Sequence, residues 1–170
     1  MDVYVIRHAD AVPVGERGIS DDEQRPLSGV GLEQAKTLGT VLQKKGITLG
    51  GVVSSPLLRA RQTAEAVVKA WTPPPELMIC DELAPGGRPK RIAKFLRNRD
   101  LEKVAVVGHE PDLGEFAGWL IGDKKVHIDL AKGGVAYISC DGEPRKGSGT
   151  LIWLVSGDWL GYSPAVASTA

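Results

Sequence analysis

Residues 2–8, Asp-Val-Tyr-Val-Ile-Arg-His, are the stretch from which the fold is most readily predicted. A short run of apolar and β-branched residues is typical of a buried strand, and His8 follows it directly. Residues 104–109, Val-Ala-Val-Val-Gly-His, repeat this arrangement and are the strongest buried-strand signal in the chain. Two strands that each end in a histidine predict a sheet with polar groups gathered at one edge.

Helical patterns separate the strand signals along the chain. Ser28 is expected to cap a helix that runs to about Lys45, and Gly46 ends it. Ser55 and Pro56 are expected to open a second helix, with the serine as cap and the proline at the first position. Strands separated by such helices predict a three-layer α/β/α sandwich with a largely parallel sheet. The other predicted elements are strands at residues 51–54, 77–80, 134–140 and 150–155, the last two as an antiparallel hairpin, and helices at residues 88–97 and 112–121.

The length of 170 residues fits one domain with a sizeable core. We assign residues 1–157 to that domain and residues 158–170 to a C-terminal tail that is expected to fray. Lys and Arg together number 21, and so do Asp and Glu. This balance argues against nucleic acid or a membrane surface as a partner, because such proteins usually carry a basic excess. An anionic ligand must therefore be attracted by a local cluster of charge.

The N-terminal residues lack the basic and apolar segments of a signal peptide, and no apolar run reaches the ~20 residues of a membrane span. The expected location is therefore cytoplasmic. Two cysteines, Cys80 and Cys140, lie in apolar predicted strands and are expected to be buried thiols. His127 lies outside every motif and is expected to be a surface or loop residue.

Four basic side chains are expected to converge at the carboxyl edge of the sheet. Ligands of open α/β sheets bind at that edge, and both His8 and His109 reach it if their strands are parallel neighbours. A third strand ends at Ser54 and leads into a helix whose first turn carries Arg59, while Arg7 precedes His8. Free N–H groups at a helix N-terminus and forked guanidinium groups both favour phosphate oxygens.

Two imidazoles and two guanidiniums suit a tetrahedral dianion. The barrier to phosphoryl transfer falls mainly through positioning and through neutralisation of the non-bridging oxygens. An imidazole can also attack the phosphorus and form a covalent intermediate. Nearby arginines disfavour the imidazolium form and so keep the nucleophilic lone pair available. Since this chemistry needs no cofactor and no metal, the pattern predicts a metal-independent phosphatase with His8 as the nucleophile.

The order and spacing of these motifs resemble the histidine phosphatase superfamily, to which the phosphoglycerate mutases belong. Arg7-His8-Ala9 is similar to the Arg-His-Gly/Ala signature of that family. Residues 54–64, Ser-Ser-Pro-Leu-Leu-Arg-Ala-Arg-Gln-Thr-Ala, are similar to its second phosphate-binding segment. The agreement covers roughly residues 1–155. Further matches lie at Arg25-Pro26-Leu27-Ser28, at Gly31, Gln34 and Ala35, and at Val107-Gly108-His109-Glu110-Pro111.

Within the superfamily, the short length and residues 82–87, Glu-Leu-Ala-Pro-Gly-Gly, most resemble the bacterial SixA-type phosphohistidine phosphatases. Those enzymes lack the helical insertion that covers the site in phosphoglycerate mutases. The resemblance therefore implies a phosphoglycerate mutase-like fold without a large helical insertion. Ala9, where the wider superfamily usually has glycine, is interpreted as a mark of this subfamily.

The resemblance also implies a role for each matching residue. His8 would be the nucleophile and the transient phosphohistidine. The phosphoryl oxygens would be held by Arg7, Arg59 and His109, with Arg25 as a contact at the rim. Three carboxylates compete for the role of general acid, because Glu82 lies where many members of the superfamily carry an acidic donor and Asp10 and Glu110 lie within the motifs. A phosphoramidate leaving group is expected to need less acid help than an alkoxide.

The leading hypothesis for function is removal of phosphate from the phosphohistidine of a signalling protein, such as a phosphotransfer domain or phosphocarrier protein. A bulky protein substrate needs an open groove, and no insertion is long enough to cover the site. The alternatives are hydrolysis of a small phosphomonoester or sugar phosphate and, in another class, a non-catalytic phosphate-binding module. A metallophosphatase that combines the two histidines with Asp10 and Asp112 is disfavoured, because two adjacent arginines would repel a divalent cation.

Overall fold

A computed structural model describes residues 1–122, 126 and 128–160. His127 and residues 161–170 of the expected tail lie outside the described residues. The strands are β1 (Asp2–Arg7), β2 (Gly51–Ser54), β3 (Glu76–Ile79), β4 (Lys103–Gly108), β5 (Val135–Cys140) and β6 (Gly149–Val155). The helices are α1 (Gly29–Lys44), α2 (Leu58–Val68), α3 (Pro89–Arg97) and α4 (Asp112–Leu120), and short 3-10 turns lie at Asp22–Gln24, Asp81–Leu83 and Gly157–Leu160.

The strands form one mixed sheet in the order β3-β2-β4-β1-β5-β6. β1, β2, β3 and β4 are parallel, while β5 and β6 add to the β1 side in antiparallel directions. His8 and His109 were expected to meet only if their strands are parallel neighbours, and β1 and β4 pair in this way. The predicted largely parallel sheet with an antiparallel hairpin is confirmed.

Each face of the sheet has its own core and its own pair of helices. α3 and α4 cover one face, and α1 and α2 cover the other. The α/β/α layering is confirmed. Cys80 and Cys140 are buried free thiols, as expected. Within the described ranges no helix is both long and apolar enough to cross a membrane. The largest fully buried side chains include Phe116, Ile6, Leu38, Ile92, Leu96, Leu113 and Leu120.

The start of α1 follows the prediction and the start of α2 does not. Ser28 caps α1, with its Oγ accepting the N–H of Gly31 at 3.0 Å. α2 begins only at Leu58, and Leu57 at its N-cap makes no side-chain cap. The prediction that Ser55 caps this helix with Pro56 at the first helical position was therefore wrong. The two residues instead extend the turn between β2 and α2, where the serine hydroxyl lies 2.9 Å from His109 Nε2.

The loop after β1 is attached to the helices by polar side chains of the predicted motifs. The N–H of Ala9 donates to Thr63 Oγ1 of α2 at 3.1 Å. The N–H of Asp10 donates to Gln34 Oε1 of α1 at 2.9 Å. These hydrogen bonds satisfy buried backbone donors in a segment that lacks regular structure. They therefore fix the backbone on which His8 stands.

Gly31 permits the close approach between α1 and this loop. A Cβ at position 31 would overlap the carbonyl oxygen of Asp10. That carbonyl also accepts the N–H of Ser28 at 3.0 Å. We expect Gly31→Ala to lower the free energy of unfolding by about 3 kcal/mol, because rigid backbone atoms must move apart.

Gly29→Ala is the matched control, because a Cβ there meets nothing within 4 Å. It should change stability by less than about 1 kcal/mol. Urea denaturation of both variants measures the difference. Equal stability of the two variants would contradict the close-approach explanation.

Candidate active site

Three parallel strands bring polar residues to one point of the sheet edge. His8 follows β1, Ser55 follows β2 and His109 follows β4, and all three are buried. The N–H of His8 donates to the Gly108 carbonyl at 3.0 Å, and the N–H of Ser55 donates to the Val107 carbonyl at 2.9 Å. The imidazole centroids lie 5.1 Å apart. The predicted convergence of the two histidines is confirmed.

The hydrogen bonds of His8 define its tautomer. Its Nδ1 lies 2.7 Å from the carbonyl oxygen of Ala9, which can only accept, so Nδ1 carries the proton. Arg59 Nε donates to His8 Nε2 at 3.3 Å. A guanidinium can only donate, so Nε2 presents its lone pair. The nitrogen of this imidazole that carries the lone pair is therefore Nε2, and it contacts the guanidinium of Arg59.

Arg59 is buried at the second position of α2 and is held by the turn Asp22–Gln24. Its Nη1 donates to the Asp22 carbonyl at 2.7 Å, and its Nη2 forms an ion pair with Asp22 Oδ2 at 3.0 Å. Arg25 Nη1 contacts the other carboxylate oxygen at 2.9 Å. The hydrogen bond from Arg25 and the charge of Arg59 hold the pKa of Asp22 below its usual value. Asp22 thus joins the two arginines.

Two further cations act on the imidazoles. Arg7 donates from Nη1 to the Leu130 carbonyl at 2.8 Å, whereas its buried Nε makes no hydrogen bond among the described residues. Lys132 forms an ion pair with Asp10 at 2.7 Å. The charges of Arg7 and Lys132 both contribute to lowering the pKa of His8. Because Arg7 Nε makes no hydrogen bond among the described residues, its N–H group is available to an anion.

His109 is oriented by a serine hydroxyl. Its Nε2 lies 2.9 Å from Ser55 Oγ, and the same oxygen accepts the N–H of Leu57 at 3.3 Å. Because Oγ already accepts one hydrogen bond, its own proton can be donated to Nε2. The imidazole proton then lies on Nδ1, which is buried and makes no hydrogen bond among the described residues. His109 can thus present an N–H donor to an anion.

Both imidazoles are neutral at pH 7. Burial lowers the pKa of His8 to about 4, and the charges of Arg59 and Arg7 add to this effect against the hydrogen bond to Ala9. Burial and the neighbouring His8 lower the pKa of His109 to about 3. The site therefore combines two neutral rings with permanently charged guanidiniums. This combination suits an anion that is attacked by a nitrogen lone pair.

Two candidate acids contact cations instead of the imidazoles. Glu82 lies in the turn after β3, and its carboxylate accepts from Arg91 Nη1 of α3 at 3.4 Å. Asp10 accepts hydrogen bonds from Lys132 and from the Ser28 hydroxyl, each at 2.7 Å. Burial raises the pKa of Asp10, but these hydrogen bonds outweigh that effect and the pKa lies below its usual value. Asp10 is therefore ionised at neutral pH.

Two further carboxylates, Glu110 and Asp112, lie at the start of α4. Glu110 Oε2 lies 2.8 Å from the position that a Cβ on Gly114 would take. Asp112 accepts the N–H of Gly86 at 2.8 Å. Across residues 1–122, 126 and 128–160, no group of three or more His, Cys, Asp or Glu side chains could hold a metal ion. The structure brings together Arg7, His8, Arg59 and His109, joins Arg25 to them through Asp22, and places Glu82 against α3.

Sequence reasoning missed three polar residues of this site. Ser55 could have been found, since it directly follows a buried strand as His8 and His109 do. Asp22 lies in a short 3-10 turn and Lys132 in a loop, and no periodic pattern of the sequence points to their contacts with Arg59 and Asp10. Their partners are 37 and 122 residues distant along the chain, respectively.

Comparison with known proteins agrees with this geometry. The model of the histidine phosphatase superfamily (branch 1) matches residues 3–84. An uncharacterized protein of Picosynechococcus sp. is 34% identical over an alignment of 167 residues, which covers 94% of this chain and 99% of that protein. Phosphohistidine phosphatase SixA of Escherichia coli is 26% identical, with 92% of this chain and 94% of SixA covered. A structure of the protein histidine phosphatase SixA with tungstate superposes with a TM-score of 0.79 at 26% identity, covering 93% and 98% of the two chains.

The neutral imidazoles should make folding stability depend on pH. An unfolded histidine has a pKa near ~6.5, whereas His8 and His109 have folded values of about 4 and about 3. Between these values the unfolded chain binds more protons, so stability is full above about pH 6.5 and falls as the pH is lowered. From pH 6 to 5 we expect the free energy of unfolding to fall by roughly 2–3 kcal/mol, because unfolding takes up nearly two protons in this range.

The His8→Asn variant removes one of the two histidines that take up a proton on unfolding. Its unfolding free energy should fall with pH at about half the slope, because a single shifted imidazole remains. Urea denaturation at several pH values between 5 and 7 measures both slopes. Identical slopes for the two proteins would show that His8 is not held neutral by the fold.

Proposed function

The chain belongs to the histidine phosphatase superfamily and is a phosphatase, and from this premise we propose that it dephosphorylates the phosphohistidine of a signalling or phosphotransfer protein. In this proposal the reaction proceeds through a covalent phospho-His8 intermediate. The observation that carries the proposal is the tautomer of His8, with its proton held by the Ala9 carbonyl and its lone pair on Nε2. That ring is ready to attack without prior loss of a proton.

In the first step, His8 Nε2 attacks the phosphorus of the substrate. The Nε2–P bond forms while the P–N bond to the substrate imidazole breaks, and the electron pair returns to that imidazole. A substrate ring that is protonated on its other nitrogen leaves as neutral imidazole. His8 becomes a phosphorylated cationic ring, and its Nδ1–H remains on the Ala9 carbonyl.

The arginines and the second histidine neutralise the transferred group in this proposal. Arg59 exchanges its hydrogen bond with His8 Nε2 for one with a phosphoryl oxygen, which frees the lone pair. Arg7 contributes its buried Nε–H, and His109 contributes its Nδ1–H. Such preorganised donors act where charge is spread over the non-bridging oxygens. Arg7 Nε–H and His109 Nδ1–H make no other hydrogen bond among the described residues, so they need not give up a partner to bind the phosphoryl group.

A phosphohistidine substrate agrees with the pairing of the nearby acids. Exchange of phosphate between two imidazoles needs no general acid, since each ring keeps the proton on its other nitrogen. The carboxylates of Glu82, Asp10 and Asp22 are paired with cations. Similarity to SixA extends over 92% of the chain. Together these observations favour a phosphoramidate over an alkyl phosphate, which would need a proton donor.

In the second step, water attacks the phosphorus of phospho-His8. The Nε2–P bond breaks, the ring returns to its neutral Nδ1–H tautomer, and the two protons of the water stay on dihydrogen phosphate. The substrate protein leaves before this step, so water enters from the side that the substrate imidazole occupied. No proton has to be taken up or released by a protein carboxylate.

Trapping of the intermediate tests the nucleophile. The protein is mixed with a phosphotransfer domain that carries labelled phosphohistidine, and the reaction is quenched in alkali. We expect an alkali-stable, acid-labile label on His8, because a phosphorylated imidazole has these properties. His8→Asn should carry no label there and should turn over at least about a thousandfold more slowly.

Two results would contradict the covalent mechanism. One is a label on a different residue of the wild-type protein. The other is turnover by His8→Asn at the wild-type rate. A non-catalytic phosphate-binding module would instead show no turnover by the wild-type protein.

Comparison of substrates tests the phosphohistidine specificity separately. We expect kcat/KM for the phosphohistidine protein to exceed that for an aryl phosphate by about a hundredfold or more, because the imidazole leaves as a neutral group whereas the aryl group leaves as an oxyanion. Steady-state phosphate release measures both values. An aryl phosphate or sugar phosphate that is turned over equally well would favour the small-molecule alternative.

A further inference from the structure

Asp22 places a negative charge directly beside Arg59, the buried arginine that contacts His8. Its Oδ2 lies 3.0 Å from Arg59 Nη2, and its carbonyl oxygen accepts a hydrogen bond from Arg59 Nη1 at 2.7 Å. Arg59 in turn donates from Nε to His8 Nε2 at 3.3 Å. One guanidinium therefore contacts the proposed nucleophile with one nitrogen and Asp22 with the other two.

The charge of Asp22 acts on more than its ion-pair partner. The hydrogen bond from Arg25 and the charge of Arg59 hold the pKa of Asp22 below its usual value, so its carboxylate is ionised at neutral pH. Burial and the neighbouring His8 lower the pKa of His109, and the charge of Asp22 acts in the opposite direction. The field of this carboxylate therefore reaches both an arginine and a histidine of the site.

Asp22 differs from two other carboxylates of the sheet edge in the cation that it contacts. Asp10 pairs with Lys132 at 2.7 Å, and Glu82 pairs with Arg91 at 3.4 Å. Asp22 instead pairs with an arginine of the candidate phosphate site, where its charge lowers the attraction for any anion. Tight binding of phosphate by itself therefore does not explain why a carboxylate stands at this position.

Asp22 lies on the side of the site from which a leaving group departs. The side chain of Arg59 is 6% exposed, whereas that of Asp22 is 54% exposed. Phosphoryl transfer places the attacking and leaving atoms roughly in line across the phosphorus. Because His8 is buried, its attack directs the leaving group toward solvent. Asp22 and the leaving group therefore share the outer side of the site.

Substrates differ in the charge that they bring to this outer side. A phosphate ester carries about 1.5–2 negative charges at pH 7. In a phosphorylated imidazole, a proton on the other ring nitrogen offsets one of these charges. A carboxylate on the leaving-group side attracts the protonated ring, and it repels an ester dianion or a free phosphate dianion.

We propose that Asp22 is a specificity-determining residue that favours a phosphorylated, protonated imidazole over phosphate esters. This inference rests on the proposed function, since it concerns the ring from which the phosphoryl group is removed. The negative charge stabilises the ring proton, which stays on the ring while the P–N bond breaks and neutral imidazole leaves. The same charge favours release of free phosphate after the second step. Asp22 itself forms no bond to phosphorus and transfers no proton.

Removal of this one charge tests the proposal. Asp22→Asn is compared with wild type on phosphoimidazole and on an aryl phosphate, two small substrates with different leaving groups. The backbone carbonyl of residue 22 remains available to hold Arg59 Nη1 in the variant. We expect the ratio of kcat/KM for phosphoimidazole to kcat/KM for the aryl phosphate to fall by about fivefold or more.

Inorganic phosphate gives a second readout on the same variant. It should inhibit Asp22→Asn at a concentration about fivefold lower than wild type, because the repelling charge is gone. A residue that only positioned Arg59 would give a different result. Its loss would weaken both substrates and inorganic phosphate together, and the ratio of the two kcat/KM values would not move.

Asp21→Asn is the matched control, because it removes one negative charge from the neighbouring position. The Asp21 side chain accepts the N–H of Glu23 at 2.9 Å and forms no ion pair within the described part of the chain. Asparagine caps such a turn equally well. The ratio and the phosphate inhibition should stay within about twofold of wild type, since exposed charges without a partner interact weakly.

Asp22→Ala repeats the test without an amide, and it should shift the ratio in the same direction as Asp22→Asn. An unchanged or increased ratio in both variants would overturn this role of Asp22 while the proposed function stands. If wild type turns over no phosphoramidate, neither phosphoimidazole nor a phosphohistidine protein, the proposed function fails and the role of Asp22 fails with it.

Discussion

Arg7 stands opposite Gly108 in the parallel pairing of β1 with β4, and this register places His8 and His109 at the same level of the sheet. Each imidazole follows its strand by one residue, so the backbone ladder sets the 5.1 Å between the rings. A slip by one residue would turn every core side chain of a strand to the wrong face. The packing of the two apolar cores therefore fixes the register on which the polar site depends. Ser55 lies at the same edge of the sheet because β2 pairs with β4 in the same direction.

Burial and charge together give the site its chemistry. A buried guanidinium requires partners, and Arg59 obtains them from the Asp22 carbonyl and carboxylate. The positive charge that remains disfavours protonation of His8, whose lone pair then stays available. Burial is the main reason that this imidazole stays neutral, and the ring donates its one proton to the Ala9 carbonyl. The same contacts that satisfy buried polar groups therefore leave the His8 lone pair on Nε2.

Several polar residues of the family motifs have a structural task. Thr63 and Gln34 accept the N–H groups of the loop after β1, and Gln62 Oε1 accepts the N–H of Leu27 at 2.7 Å. Thr63 also donates to the Arg59 carbonyl at 2.7 Å, so one hydroxyl connects the loop to the helix that carries the arginine. These side chains replace the regular backbone pairing that the loop lacks. Motif residues without a chemical role thus still determine where the reactive groups stand.

Much of the fold and of the candidate site was determined by the sequence alone. The strands, the four helices and the positions of His8 and His109 behind apolar strands were predictable, because periodicity and strand ends are local features. The role of Ser55 was misjudged as a cap, since a serine before proline suits a helix start equally well when its neighbours in space are unknown. Only the tertiary structure decided that Asp22 holds Arg59 and that Lys132 pairs with Asp10. Those contacts join loop segments far apart in the chain, and such hydrogen bonds leave no periodic signal because folding alone brings their partners together.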